Sequence, residues 1–278
     1  MPRTEHPMNW ATMSRAERDA AYNNSAAVSD SPALNTRREQ QSAAFRAAHP
    51  GHLDLAYGPR ERNRWDLFPA GDPGAPCLVF IHGGYWQSRA REEFACLMEG
   101  PRALGWSCAL PGYTLAPEAS LTEIVGEIHA ALDWLAHNGP AHGVAGPVVL
   151  SGWSAGGHLT AMALGHKLVR AGLAVSGLFE LGPIRDTYLN EKLRLTDAEI
   201  AALSPLRLPV APKPLAIAYG TAELPPLVAD SRDLSARRSA AHAPGPLIGV
   251  PGANHFTVVL ELQKPDGALT RQLPLLLG

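Results

Sequence analysis

Three separated segments carry residue types that together could transfer an acyl group. The first is Gly152-Trp153-Ser154-Ala155-Gly156. It lies between an apolar run, Val148–Ser151, that reads as a buried strand and a stretch that suits a helix from Gly157 onward. A serine at such a corner projects its hydroxyl, and the helix N-terminus beneath it offers unpaired N–H groups to a developing negative charge. Gly152 and Gly156 lack the Cβ atoms that would keep strand and helix apart.

A serine nucleophile needs a base, and the base needs an orienting acid. Of eleven histidines, His255 has positional support: it follows the last expected strand, where ligand chemistry gathers at the carboxyl ends of an α/β sheet. His129 and His158 fall within expected helices and read as packing or hydrogen-bonding groups. In the chain order serine, acid, histidine, Glu223 follows the expected strand Leu215–Tyr219 and is preferred as the acid. Glu180, after the preceding strand, is its competitor, while Asp230 and Asp233 are expected on a solvent-facing helix. The third segment is His82-Gly83-Gly84-Tyr85-Trp86, directly after the apolar run Cys77–Ile81. Its glycines let backbone N–H groups turn toward an acyl oxygen, so Gly83, Gly84 and Ala155 are the expected oxyanion hole. His82 is expected to brace this loop. Tyr85 and Trp86 either line a pocket for an aromatic substrate or pack beneath the loop.

The elements that must hold these segments follow from hydrophobic patterning. Residues 1–50 are polar and helix-prone, with helices expected over Thr12–Tyr22 (capped by Thr12 or Ser14) and Leu34–Ala48, and read as an arm on the main body. From residue 51 to 278 strands alternate with helices. Strands are expected over Leu53–Tyr57 and Arg64–Phe68 (an antiparallel pair), Cys77–Ile81, Ser107–Leu110, the elbow strand, Leu173–Phe179, Leu215–Tyr219 and Leu247–Val250. Helices are expected over Glu92–Leu104, Leu121–His137, Pro226–Ala241 and from Phe256 onward, with a cap-like stretch over 184–208. This rhythm gives an α/β fold: a mostly parallel, doubly wound sheet of about eight strands, helices on both faces, in one domain.

Composition narrows the function. With 46% apolar and 18% charged residues the chain is of globular type, and a net charge of −2 gives no reason to expect nucleic acid or an acidic membrane as partner. Cys77, Cys96 and Cys108 lie in apolar segments and read as buried thiols. The first ten residues hold no apolar leader core and no run reaches the roughly 18 apolar residues of a membrane span, so a cytoplasmic enzyme is expected. Serine chemistry of this kind needs no metal or organic cofactor. The arm could cover its own chain or a neighbour's in a homodimer.

With HGGYW at 82–86, GWSAGGHL at 152–159, SGLFEL at 176–181, GTAELP at 220–225, NHF at 254–256 and Tyr22-Asn23-Asn24, the chain resembles the α/β-hydrolase superfamily. Within it, the likeness is to the kynurenine formamidase (arylformamidase) group and its hormone-sensitive-lipase-like esterase relatives. The resemblance implies Ser154 as nucleophile, His255 as base, and Gly83, Gly84 and Ala155 around the oxyanion. Two positions depart from the family pattern, which usually has aspartate at Glu223 and histidine at Trp153. The implied substrate is a small-molecule aromatic amide carrying a formyl or similarly small acyl group, with short-chain esters as the alternative and non-catalytic ligand binding a remote one. Tyr22, Tyr85, Trp86, Trp153, Tyr188, Asn190 and Phe256 are the expected pocket residues; Arg185 and Asn23 are further polar contacts to consider.

Overall fold

The computed structural model describes residues 10–278, so the first nine positions of the expected arm lie outside the described residues. Ser14, not Thr12, opens helix α1 (Arg15–Tyr22): its hydroxyl accepts from the Glu17 N–H while the Glu17 carboxylate accepts from the Ser14 N–H. A four-residue turn, α2 (Asn24–Ala27), is capped by Asn23. Helix α3 (Ser31–Ala48) starts three residues before the expected Leu34, because Pro32 suits a first turn that has no use for its N–H.

The body follows in alternation. β1 (His52–Ala56) and β2 (Arg64–Phe68) form the expected antiparallel pair. After β3 (Cys77–Ile81) the helix expected over 92–104 is split into a 3-10 segment, Arg91–Met98, and a short α4 (Glu99–Ala103). Pro101 removes an N–H and crowds the carbonyl four residues back, so one continuous α-helix is disfavoured there. Then come β4 (Ser107–Pro111), α5 (Leu121–Asn138), β5 (Val148–Trp153), α6 (Ala155–Ala163) and β6 (Val169–Val175). α7 (Asn190–Leu193) and α8 (Asp197–Leu203) lie in the cap-like stretch, followed by β7 (Leu215–Gly220), α9 (Pro225–Ala240) and β8 (Leu247–Val250).

Two expectations are corrected. β6 ends at Val175, not Phe179, because its pairing with β5 closes at Trp153↔Val175 and Ser176, at φ 49°, turns the chain out of the sheet. The terminal helix expected from Phe256 is instead a 3-10 segment, Val258–Leu262, and a one-turn α10 (Gln272–Leu275). Lys264-Pro265-Asp266-Gly267 separates them with turn chemistry.

Among the described residues the sheet has eight strands in the order β1-β2-β4-β3-β5-β6-β7-β8, parallel from β4 through β8. Both faces are covered. Along β3, Cys77, Val79 and Ile81 join the core beneath α5 and α6, while Leu78 and Phe80 join the opposite core with Phe94, Leu262 and Leu273. That two-sided burial explains why the central strands read as continuous apolar runs. It also fixes a rigid carboxyl edge, from which the loops after β3, β5, β7 and β8 rise together. No helix among the described residues is long and apolar enough to cross a membrane.

Candidate active site

Ser154 stands alone between the last residue of β5 and the first of α6, at φ 58° and ψ −118°. This is a left-handed, strained conformation that persists only where neighbours over-determine it. Here its N–H donates to the Val175 carbonyl at 2.8 Å, and its own carbonyl accepts from the His158 N–H at 3.0 Å. The glycines around it are sterically required: a Cβ on Gly152 would overlap the Gly156 carbonyl, and one on Gly156 would overlap the Ile81 carbonyl of the neighbouring strand.

His255 comes from the loop after β8. Asn254 shapes that loop by accepting from the N–H groups of Phe256 and Thr257, each at 3.0 Å. His255 Nδ1 meets Glu223 Oε2 at 2.9 Å, with the histidine side chain 4% exposed and the carboxylate fully buried. The other carboxylate oxygen, Oε1, accepts from Ser176 Oγ at 2.5 Å and from the Gly220 N–H at 2.6 Å. A carboxylate held on both oxygens fixes one imidazole tautomer: Nδ1 carries the proton and Nε2 is left as an acceptor. Glu180, the competing acid, is engaged elsewhere in an ion pair with Arg207. Asp230 does not face solvent as expected; it is 2% exposed and accepts from the N–H groups of Phe179 and Glu180.

The loop after β3 lies against Ser154. A Cβ on Gly83 would come within 2.8 Å of the Trp153 carbonyl and 3.1 Å of Ser154 Cβ, so only glycine lets the two loops approach this closely. Gly84, Tyr85 and Trp86 follow at φ 110°, 51° and 58°, a left-handed run. Among the described residues, the N–H groups of Gly84 and Ala155 take part in none of the protein's own backbone hydrogen bonds. His82 braces the loop from below. Its Nδ1 donates to the Gly83 carbonyl at 2.8 Å, its ring stacks on Tyr113 at 4.2 Å, and burial pushes its pKa down to about 3.

Ser154 and His255 share the wall of a cavity of about 100 Å³ with Gly84, Tyr85, Trp153, Phe256, Asn24 and Arg89 among others. Tyr85, Trp153 and Phe256 thus line this cavity. Trp153 does more: its Nε1–H donates to the His255 carbonyl at 2.9 Å and its ring lies 4.7 Å from the imidazole. Four expected pocket residues stand elsewhere. Trp86 is fully buried, edge-on to His158. Tyr22 sits in the core, stacked on Trp10, and offers only its carbonyl, to the Tyr85 hydroxyl. Tyr188 is 36% exposed on the cap-like stretch, its N–H donating to Asp19, and Asn190 caps a local turn by accepting from the Leu195 N–H. Of the two further polar contacts, Arg185 pairs with Asp197 and Asn23 caps α2.

Ser176 and Asn24 do not stand out by residue type. Their segments, SGLF and Tyr22-Asn23-Asn24, were visible, but serine and asparagine are ordinary loop residues until packing assigns them a partner. A larger cavity of about 670 Å³, lined by Arg60, Arg62 and Pro117 among others, contains none of the candidate catalytic residues. Among the described residues no cluster of histidine, cysteine or carboxylate side chains could hold a metal ion.

Comparison with known proteins agrees with this fold. Residues 78–213 match the model of a family described by the alpha/beta hydrolase fold. The chain is 25% identical to a kynurenine formamidase of Danio rerio, across 97% of this chain and 99% of that one. A solved structure from Silicibacter sp. tm1040, provisionally described as a thioesterase, superposes with a TM-score of 0.82 at 30% identity, over 92% of this chain and 98% of that one. An esterase from Pyrobaculum calidifontis shares the fold alone, with a TM-score of 0.71 at 18% identity over 95% and 98% of the two chains.

Proposed function

This chain belongs to the alpha/beta hydrolase fold family and is a hydrolase, and from that premise we propose that it removes a small acyl group, formyl above all, from an aromatic amine. The observation that carries the reading is the buried Glu223–His255 pair opening onto the same small cavity as the strained Ser154. His255 Nε2 takes the Ser154 proton as the hydroxyl attacks the substrate carbonyl. The oxygen that becomes negative is received by N–H groups of the Gly83–Gly84 loop and of Ala155, at the positive end of α6. The tetrahedral intermediate collapses as His255 passes its proton to the leaving nitrogen, and an ester of Ser154 remains. Water then attacks the ester carbonyl as His255 takes its proton, and the acid is released as His255 returns that proton to Ser154 Oγ. Glu223 orients the imidazole and stabilises the imidazolium.

Two features support the formamide over a bulkier acyl group. The cavity at Ser154 is small and walled by Tyr85, Trp153 and Phe256, and the chain's likeness to a kynurenine formamidase spans nearly its whole length. The test is turnover of N-formylkynurenine beside p-nitrophenyl acetate and butyrate, with Ser154→Ala as control. The expected result is a kcat/KM for the formamide well above those for the esters, lost by at least about 10⁴-fold in Ser154→Ala. Turnover of the esters alone would remove the formamidase assignment. Turnover by Ser154→Ala at the wild-type rate would remove the serine mechanism.

A further inference from the structure

Resting on that reading of the site, we infer that Asn24, on the N-terminal arm, recognises substrate by accepting a hydrogen bond from a substrate N–H on its side-chain carbonyl, and so selects amide-type or amine-bearing substrates over plain esters. Asn23 and Asn24 are adjacent but differently occupied. Asn23 points along α2 and caps it, accepting from the Ala26 N–H at 3.1 Å. Asn24 is turned inward, 4% exposed, and contributes to the cavity wall with Ser154 and His255.

The orientation of its amide follows from the neighbouring hydroxyl. Tyr85 Oη lies 2.6 Å from the Tyr22 carbonyl oxygen, which can only accept, so the single phenolic proton goes there. The contact at 2.9 Å between Tyr85 Oη and Asn24 must then be made by the amide nitrogen, Nδ2. Oδ1 is left on the other side of the planar amide. Among the described residues it is buried with no hydrogen-bond partner. A buried carbonyl with no donor is costly, and a ligand N–H removes the cost in a way an ester oxygen cannot. The arm, the oxyanion loop and the nucleophile are thus connected through one side chain: Tyr22 and Asn24 hold Tyr85, and Tyr85 directly follows Gly84.

Two N–H groups of an N-formyl aromatic amino acid could supply the donor, the anilide N–H and the ammonium of its tail, and ligand pairs distinguish them. Dissociation constants are measured by calorimetry in a Ser154→Ala background, for formanilide against N-methylformanilide and for N-formylkynurenine against its deaminated analogue. The protein with Asn24 intact is expected to favour the N–H member of one pair. Asn24→Ala lowers that preference about tenfold, and Asn24→Asp, which keeps an acceptor oxygen, retains it. If Asn24→Ala does not fold, Asn24→Ser withdraws the same carbonyl with less loss of volume. A preference unchanged within about twofold in both pairs overturns the inference, and means that water or mere packing accounts for the buried oxygen. Binding is read without turnover, so an enzyme that hydrolyses only esters sinks the formamidase reading while these constants still decide the role of Asn24.

Discussion

Three donors converge on the carboxylate of Glu223: His255 Nδ1 on one oxygen, Ser176 Oγ and the Gly220 N–H on the other. The extra methylene relative to aspartate lets this carboxylate reach across from the start of the loop after β7. Glu223→Gln keeps the shape but puts the wrong tautomer on His255, and kcat is expected to fall by about 10³–10⁴-fold with the fold intact. Glu223→Asp withdraws the carboxylate, and Ser176→Ala removes one donor; stopped assays should show a larger loss for the first than the second. Trp153 acts on the other side of the imidazole, through its bond to the His255 carbonyl. Trp153→Phe keeps an aromatic ring and deletes that bond, a difference of about 1 kcal/mol, so kcat should fall by about fivefold. An unchanged kcat would reduce Trp153 to a wall of the pocket.

Helix α6 ties Ser154 to the cap-like stretch through His158. Its Nε2 donates to the Leu203 carbonyl at 2.7 Å, while burial lowers its pKa to about 4. His82 and His158 are thus held neutral in the fold, with pKa values of about 3 and about 4, against about 6.5 in an unfolded chain. Between those values the unfolded state binds more protons, so stability falls as pH drops below about 6.5, at about 1.4 kcal/mol per pH unit for each histidine. Urea midpoints measured from pH 7 to 4 should therefore decline steeply, and His158→Gln, which keeps a donor toward Leu203, should flatten part of that decline. At the elbow, Gly156→Ala drives a methyl into the Ile81 carbonyl. The expected cost is at least about 2 kcal/mol, seen as a lower urea midpoint.

Across the whole molecule, the arm is joined to the sheet by charge as well as by packing. Asp66, on β2 and 1% exposed, pairs with Arg46 from α3 and with Arg91 from the segment after β3, and Arg91 also pairs with Asp54 on β1. Asp66→Ala would leave a largely buried Arg91 short of its innermost partner. Arg91 keeps Asp54 and Glu92, so a loss of about 1–3 kcal/mol is expected, measured by chemical denaturation. The same arm carries Asn24 to the cavity, so its attachment to the body matters to the site and not only to the stability of the fold.

The sequence alone determined what depends on local pattern. Central strands buried on both faces appear as apolar runs, and a strand followed by GxSxG or by His-Gly-Gly announces its turn within five residues. The rule that α/β chemistry collects at the carboxyl ends of strands points to Glu223 and His255; in the fold these two pair, and His255 shares a cavity wall with Ser154. Only the tertiary structure decided which polar groups meet across long separations. Ser176 reaches Glu223 over 47 residues and Asn24 reaches Tyr85 over 61. It also separated Tyr85 and Trp153, which line the cavity, from Trp86 and Tyr22, which are buried behind it. An aromatic ring gains by burial in a core or in a pocket wall alike, so its type and spacing leave the choice open. Helix entry angles and loop conformation make that choice, and they exist only in the assembled fold.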